Sequence, residues 1–296
     1  RSRKDADITL GIYSSHPVLI REGDPDGNPW GLSFSQGLFN MSSDSALFYS
    51  AVDLTDAKFD GWSYRRGGTR YLPLYEGKLL WHFDHRFSTY RGATAAQLRM
   101  QTLPRVTDKE HDDPDLESLA RYWVPSEEVA DKVGDRWKAD WLLGWRDITG
   151  TEKARTFVPA VLPLSAVGHV FPLAFPTDAS WAPYLHGLWS SMIFDYISRQ
   201  KLSGTHMTYS VVHQLATPSP DIFGEPAQWR THDSLGEWLR PYVLELSYTS
   251  VRLQSYAKHL GDTGAPFRWQ PARRAQLRAD LDACFLHVYG LCRSEA

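Results

Sequence analysis

The stretch Trp189–Pro220, WSSMIFDYISRQKLSGTHMTYSVVHQLATPSP, limits the folds open to this chain more than any other. Leu185, Leu188, Met192, Ile193, Tyr196 and Ile197 recur at helical spacing, which predicts one amphipathic helix. Arg199, Gln200 and Lys201 close it, with cations where the C-terminal dipole favours them, and Gly204 follows as a stop signal. Thr205–Leu215 is dense in β-branched and aromatic residues. It predicts a strand that Pro218 and Pro220 end. A helix, a basic turn and a strand in one unit predict an α+β chain.

The flanking sequence divides into three parts. Residues 1–70 read as short strands and loops, with turn signals at Glu22–Asn28 and Arg66–Thr69. Residues 71–220 read as a β-rich region closed by the helix above. Within it, Asp108–Asp115 (DKEHDDPD) reads as a solvated, mobile acidic loop. Residues 221–296 read as helical. Ser234 and Glu237 form an S-x-x-E capping box, with Leu239, Val243, Leu246 and Val251 on one face. Pro271 should open a second helix running through Leu277, Leu281, Phe285 and Val288 to Gly290.

Hydrophobic residues make up 42% of the 296, enough for a substantial core. No run of 18 apolar residues is present, so no membrane-spanning helix is expected. The opening RSRKDADITL lacks the apolar run of a secretory signal. Two cysteines, Cys284 and Cys292, are too few for a disulfide framework, and a reducing cytoplasm is the expected setting. Basic against acidic residues number 8 to 9 in residues 1–70, 16 to 21 in 71–239 and 8 to 5 in 240–296. Any polyanion site must therefore be local rather than a property of the whole chain.

The R-x-K-x-x-G-T-H run at Arg199–His206, followed by Gln214-Leu215 and a proline pair, resembles a known family: the target-recognition region of large Eco57I-type adenine-specific DNA methyltransferases. The same resemblance runs through Arg3–Pro17, Asn28–Ser33, Met41–Phe48, Leu74–Tyr90, Arg121–Val124, Trp141–Pro163 and Ala265–Leu291. Those enzymes serve restriction–modification and related phage-defence systems. The family has Leu-Pro after the glutamine, where this chain has Leu215-Ala216, and its chains continue past the position of Ala296. The resemblance implies double-stranded DNA as a partner, an upstream methyltransferase domain of the same protein, and other defence-system subunits as further partners. The parent enzyme would use S-adenosylmethionine. No cofactor is expected in this chain: it has no (N/D)-P-P-(Y/F) tetrapeptide, and Gly67-Gly68 lacks a G-x-G context.

Several residues are candidates for DNA contact. Leu79–Ser88 reads as a strand with Leu79, Trp81, Phe83, His85 and Phe87 on one face and Leu80, His82, Asp84, Arg86 and Ser88 on the other. His82 and Arg86 could then read base edges or position phosphates, or an Asp84–Arg86 or Asp84–His82 pair could simply hold the sheet. Arg65, Arg66 and Arg70 surround Gly67-Gly68, where backbone can approach a phosphate and arginine offers a bidentate fork. Arg199, Lys201, Thr205 and His206 form either a phosphate clamp or a helix cap. Trp145-Arg146-Asp147 and Arg155-Thr156 read as hairpin partners, with Arg146 paired to an acid. Arg268 and the Arg273, Arg274 and Arg278 row read as a solvated helical face, with a contact to DNA or to the methylase domain as the alternative. Two rival functions are a stand-alone metal-dependent hydrolase using His82, Asp84 and His85, and a protein–protein scaffold in a defence complex.

Overall fold

The structure, a computed structural model, describes residues 2–230 and 232–291. Cys292 therefore lies outside the described residues. The fold is α+β, with nine strands in two sheets among the described residues. The strands are β1 (Leu32–Ser35), β2 (Lys58–Phe59), β3 (Tyr64–Arg66), β4 (Thr69–Tyr75), β5 (Trp123–Pro125), β6 (Trp141–Trp145), β7 (Pro159–Pro163), β8 (Ala166–Val167) and β9 (Leu173–Pro176).

The first sheet runs β1-β9-β6-β7, all antiparallel. Its inner strand β6, WLLGW, is buried along its whole length, as a continuous apolar run requires. Gly144 is needed there, because a Cβ would lie 2.3 Å from the Pro172 carbonyl oxygen and 2.5 Å from the Phe171 ring. The prolines at both ends of β7 are tolerated because β7 is an edge strand. The Ala182–Ser190 helix packs on β7 with every residue buried. It is backed by the Leu235–Ser247 helix, and the Pro271–Val288 helix packs on that one in turn. The second sheet runs β2-β3-β4-β5, with β8 parallel to β4. One large core extends from Ile12 to Tyr289. A smaller cluster of Leu54, Tyr71, Ala120 and Trp123 lies under the β2–β5 ribbon.

The C-terminal helices form as their sequence signals dictate. Ser234 and Glu237 make the reciprocal capping box, Leu239, Val243 and Leu246 are buried, and Pro271 opens the last helix. Val251 falls beyond the first helix and is exposed. Residues 1–70 are not only strands and loops, since Arg3–Ser15 is a helix capped by Ser2 and Asp5. The single helix expected over Leu185–Lys201 is two. Ser191 is extended, its hydroxyl caps Phe194 N–H, and Met192–Lys201 starts afresh. Thr205–Leu215 is not a strand either. Only His206 makes a bridge, to Ile148, and Tyr209–Val212 is helical. The acidic Asp108–Asp115 segment is ordered. Thr107 and Glu110 box the Asp108–His111 turn, His111 is buried, and Trp269 Nε1 donates to Asp108 at 2.7 Å.

Candidate nucleic-acid interface

The arginine-rich hairpin joins β3 to β4 through Gly67-Gly68, both at positive φ (+56° and +90°). Two consecutive left-handed residues suit the two-residue turn that matches strand twist, and glycine adopts them without a Cβ penalty. The turn projects into open space, with no heavy atom within 4 Å of a Cβ built at either glycine. Lys58 pairs with Arg65 across β2–β3, and Arg65 pairs with Arg70 across β3–β4. Directly opposed residues share a face, so the three cations form one row. The next row, Phe59–Tyr64–Tyr71, lies on the other face, where Phe59 and Tyr64 pack edge-on against Trp123.

Lys58 and Arg65 are exposed and make no hydrogen bond or ion pair among the described residues. Arg70 is half-buried. Its Nε donates to Ser63 Oγ and its guanidinium lies 5.5 Å from the Trp62 ring. Burial and the neighbouring Arg65 lower its pKa. Arg252 reaches the same ring at 5.1 Å and pairs with Asp60. Arg66 does not belong to this row. It alternates to the opposite face, where Asp56, the Asp53 carbonyl and the Tyr71 hydroxyl hold it. Lys58 and Arg252 have no place among the contacts expected from sequence. Alternation marks Lys58 once β2 is recognised, whereas Arg252 comes from a distant 3-10 turn and carries no local signal.

The basic turn after the Met192–Lys201 helix is split between structure and surface. Arg199 donates from Nε to Asp195 at 2.8 Å and from Nη1 and Nη2 to the carbonyls of Thr151, Lys153 and Ala154. Asp195 also accepts from the Thr156 and Phe157 amides. The pair therefore clasps the helix to the β6–β7 hairpin, which corrects the reading of Arg199 as a phosphate contact. Lys201, Thr205 and His206 are exposed, and His206 Nδ1 meets Asp147 at 2.6 Å.

Leu79–Ser88 is not a strand. It folds back through the Trp81–Asp84 bridge with Phe83 at φ +59°, so its residues do not alternate between two faces. Arg86 is fully buried. Its guanidinium donates to the carbonyls of His111, Asp113, Leu116 and Thr249 and to Thr249 Oγ1, which leaves it no route to DNA. His85 turns to Glu117 and Asp84 to His111, so His82, Asp84 and His85 do not converge on one point. Among the described residues no group of three His, Cys, Asp or Glu is placed to hold a metal ion. Arg146 caps carbonyls rather than an acid, donating to Lys78 O and Leu80 O.

His82 instead lines a cleft of about 500 Å³ between this segment and the start of the Pro271–Val288 helix. Trp81 stacks on Phe87 at 4.9 Å, and the Arg105 guanidinium covers Phe87 at 3.5 Å. Trp269 is held between His111 at 3.8 Å and Arg274 at 3.6 Å. Arg274 is only 5% exposed and donates to the Leu246 and Phe83 carbonyls, so it is not part of a solvated face. Burial alone would raise the Asp84 pKa, but His111, Arg274 and the Arg86 amide hold it below its usual value. Burial and the adjacent Arg155 and Arg278 push the His82 pKa far down, so this imidazole is neutral. No protein-family model matches the chain, and no curated protein matches its sequence.

Proposed function

We propose that this chain is the sequence-specific double-stranded DNA recognition module of an N6-adenine DNA methyltransferase, serving restriction–modification or anti-phage defence. The observation that carries the reading is the Lys58–Arg65–Arg70 row. Like charges directly opposed across strands destabilise a sheet. This row has two such pairs, and Asp60, which already holds Arg252, is the acid beside it. With strands about 4.8 Å apart, the row spans about 10 Å. One strand of a B-form duplex presents about three phosphates over that rise. The exposed Gly67-Gly68 tip would let backbone amides approach the same phosphates, and Lys201, Thr205 and His206 offer a second exposed set of donors.

In this reading the row supplies position, because phosphate contacts fix register without reading sequence. Methyl transfer belongs to the upstream domain, which would hold S-adenosylmethionine and extrude the adenine. Fluorescence anisotropy with a DNA duplex across a salt series tests the assignment. Arg65→Ala is expected to flatten the slope of log K against log salt by about 0.9, the change that follows when one phosphate is no longer neutralised. An unchanged slope with unchanged affinity would reduce the hairpin to a surface turn.

A further inference from the structure

We propose that the cleft formed by the 81–87 turn, Arg105, Ala154 and the start of the Pro271–Val288 helix binds a nucleotide, with its phosphate on the arginines in and beside it and its base against the aromatic wall. Three arginines reach this region without a direct ion pair, with Asp84 acting on Arg105 and Asp282 on Arg155 and Arg278 only from a distance. Arg105, Arg155 and Arg278 make no hydrogen bond or ion pair among the described residues. Arg155 Nη1 is buried and unpartnered, and so is Nδ1 of His82, a side chain only 7% exposed. Unsatisfied donors in a buried setting are costly, and uncompensated guanidinium groups more so. The carboxylates nearby are already engaged. Asp84 accepts from His111 and the Arg86 amide, Asp108 from Trp269, and Asp282 from the Met192 amide.

The remaining surface is planar and apolar. Trp81 and Phe87 lie parallel, within 14°, and Trp81 offers the stacking surface, since Arg105 covers Phe87 and His111 and Arg274 cover Trp269. The 18-residue helix begins at the cleft with Pro271, and its N-cap Gln270 makes no side-chain cap, so the positive end of its dipole adds to the field. A volume of about 500 Å³ lies within the range of small-ligand sites. An apolar ligand would leave the arginines unpaired, and bare phosphate would leave the aromatic wall unused. A group carrying both a dianion and a flat ring system satisfies the whole lining.

Such a ligand can come from two sources, a free mononucleotide or a nucleotide swung out of a DNA strand. Calorimetry on the full chain with dAMP, inorganic phosphate and deoxyadenosine is expected to show dAMP bound at least about tenfold more tightly than either part. The double variant Arg155→Ala/Arg278→Ala is expected to lose dAMP affinity by about tenfold or more, since both charge-assisted contacts to the phosphate are removed. Arg65→Ala should leave dAMP binding intact, which separates this site from the hairpin. Saturating dAMP should raise the melting temperature of the wild type and not of the double variant. A duplex with one bulged nucleotide binding more tightly than its paired counterpart, with the gain abolished in the double variant, assigns the source to DNA. No gain assigns it to the free nucleotide. Absence of dAMP binding at millimolar concentration together with no bulge preference, or equal dAMP binding in the double variant, overturns the proposal.

Discussion

Replacing Arg86 separates a structural guanidinium from a DNA-reading one. The side chain is fully buried and feeds four carbonyls drawn from residues 111, 113, 116 and 249. Arg86→Met removes the donor and keeps most of the volume. The bonds to His111 O and Thr249 O are fully buried, and stranding each acceptor costs about 1–3 kcal/mol. The bonds to Asp113 O and Leu116 O are partly buried, so water can replace the donor at about 0.5–1 kcal/mol each. Relief of a desolvated cation offsets part of this sum, leaving a net loss of about 2–4 kcal/mol. At about 2 °C per kcal/mol for a chain of this size, the melting temperature should fall by about 4–8 °C. Arg86→Lys keeps the charge but has no planar fork, so it should recover only part of the loss. Differential scanning calorimetry on the three proteins reads this directly. A melting temperature unchanged in Arg86→Met, with weaker DNA binding instead, would refute the structural assignment.

Other substitutions test the remaining assignments. Arg199→Ala breaks the clasp on Asp195 and the 151–154 carbonyls and should cost about 1–3 kcal/mol of stability. Lys201→Ala, on an exposed side chain, should stay within about 0.5 kcal/mol. Equal melting temperatures for the two variants would contradict this division. His186 is buried and its pKa falls from 6.5 to about 3 by burial, so the folded state holds it neutral. Its stabilising contribution is present above pH 6.5 and is lost as the pH falls from 6.5 toward 3. The wild type should therefore lose about 2 kcal/mol more than His186→Leu between pH 7 and pH 5 in urea titrations. Equal losses would mean that His186 opens to water before the protein unfolds.

Local signals carry the elements whose causes are local. The capping box at Ser234–Glu237 and the proline at position 271 each act within one turn, and both helices start where they should. The Gly67-Gly68 turn is legible for the same reason. Alternation fails at Leu79–Ser88, because the period-2 pattern there arises from a compact turn whose polar groups are buried by distant partners. Thr249 and Leu246, which define the surroundings of Arg86 and Arg274, lie far along the chain. The split at Ser190-Ser191 has a signal, a serine three residues before Phe194, but the apolar periodicity on both sides hides it. The cleft is illegible as a unit. The arginines at 105, 155, 274 and 278 come from three separate stretches of chain, a loop, the hairpin after β6 and one helix, and no local pattern joins them.

The Arg86 contact also sets a clock. Its partner Thr249 lies 163 residues downstream. At a synthesis rate of about 5–20 residues per second, roughly 8–30 seconds separate the appearance of the guanidinium from that of its last acceptor. During that interval the nascent chain can form the β2–β5 ribbon and offer Arg86 the carbonyls of residues 111, 113 and 116, but not the Thr249 acceptor that completes the 79–88 turn. Any shortened chain that stops before residue 249 would hold that state indefinitely, with the aromatic wall of Trp81 and Phe87 resting on an unfinished floor.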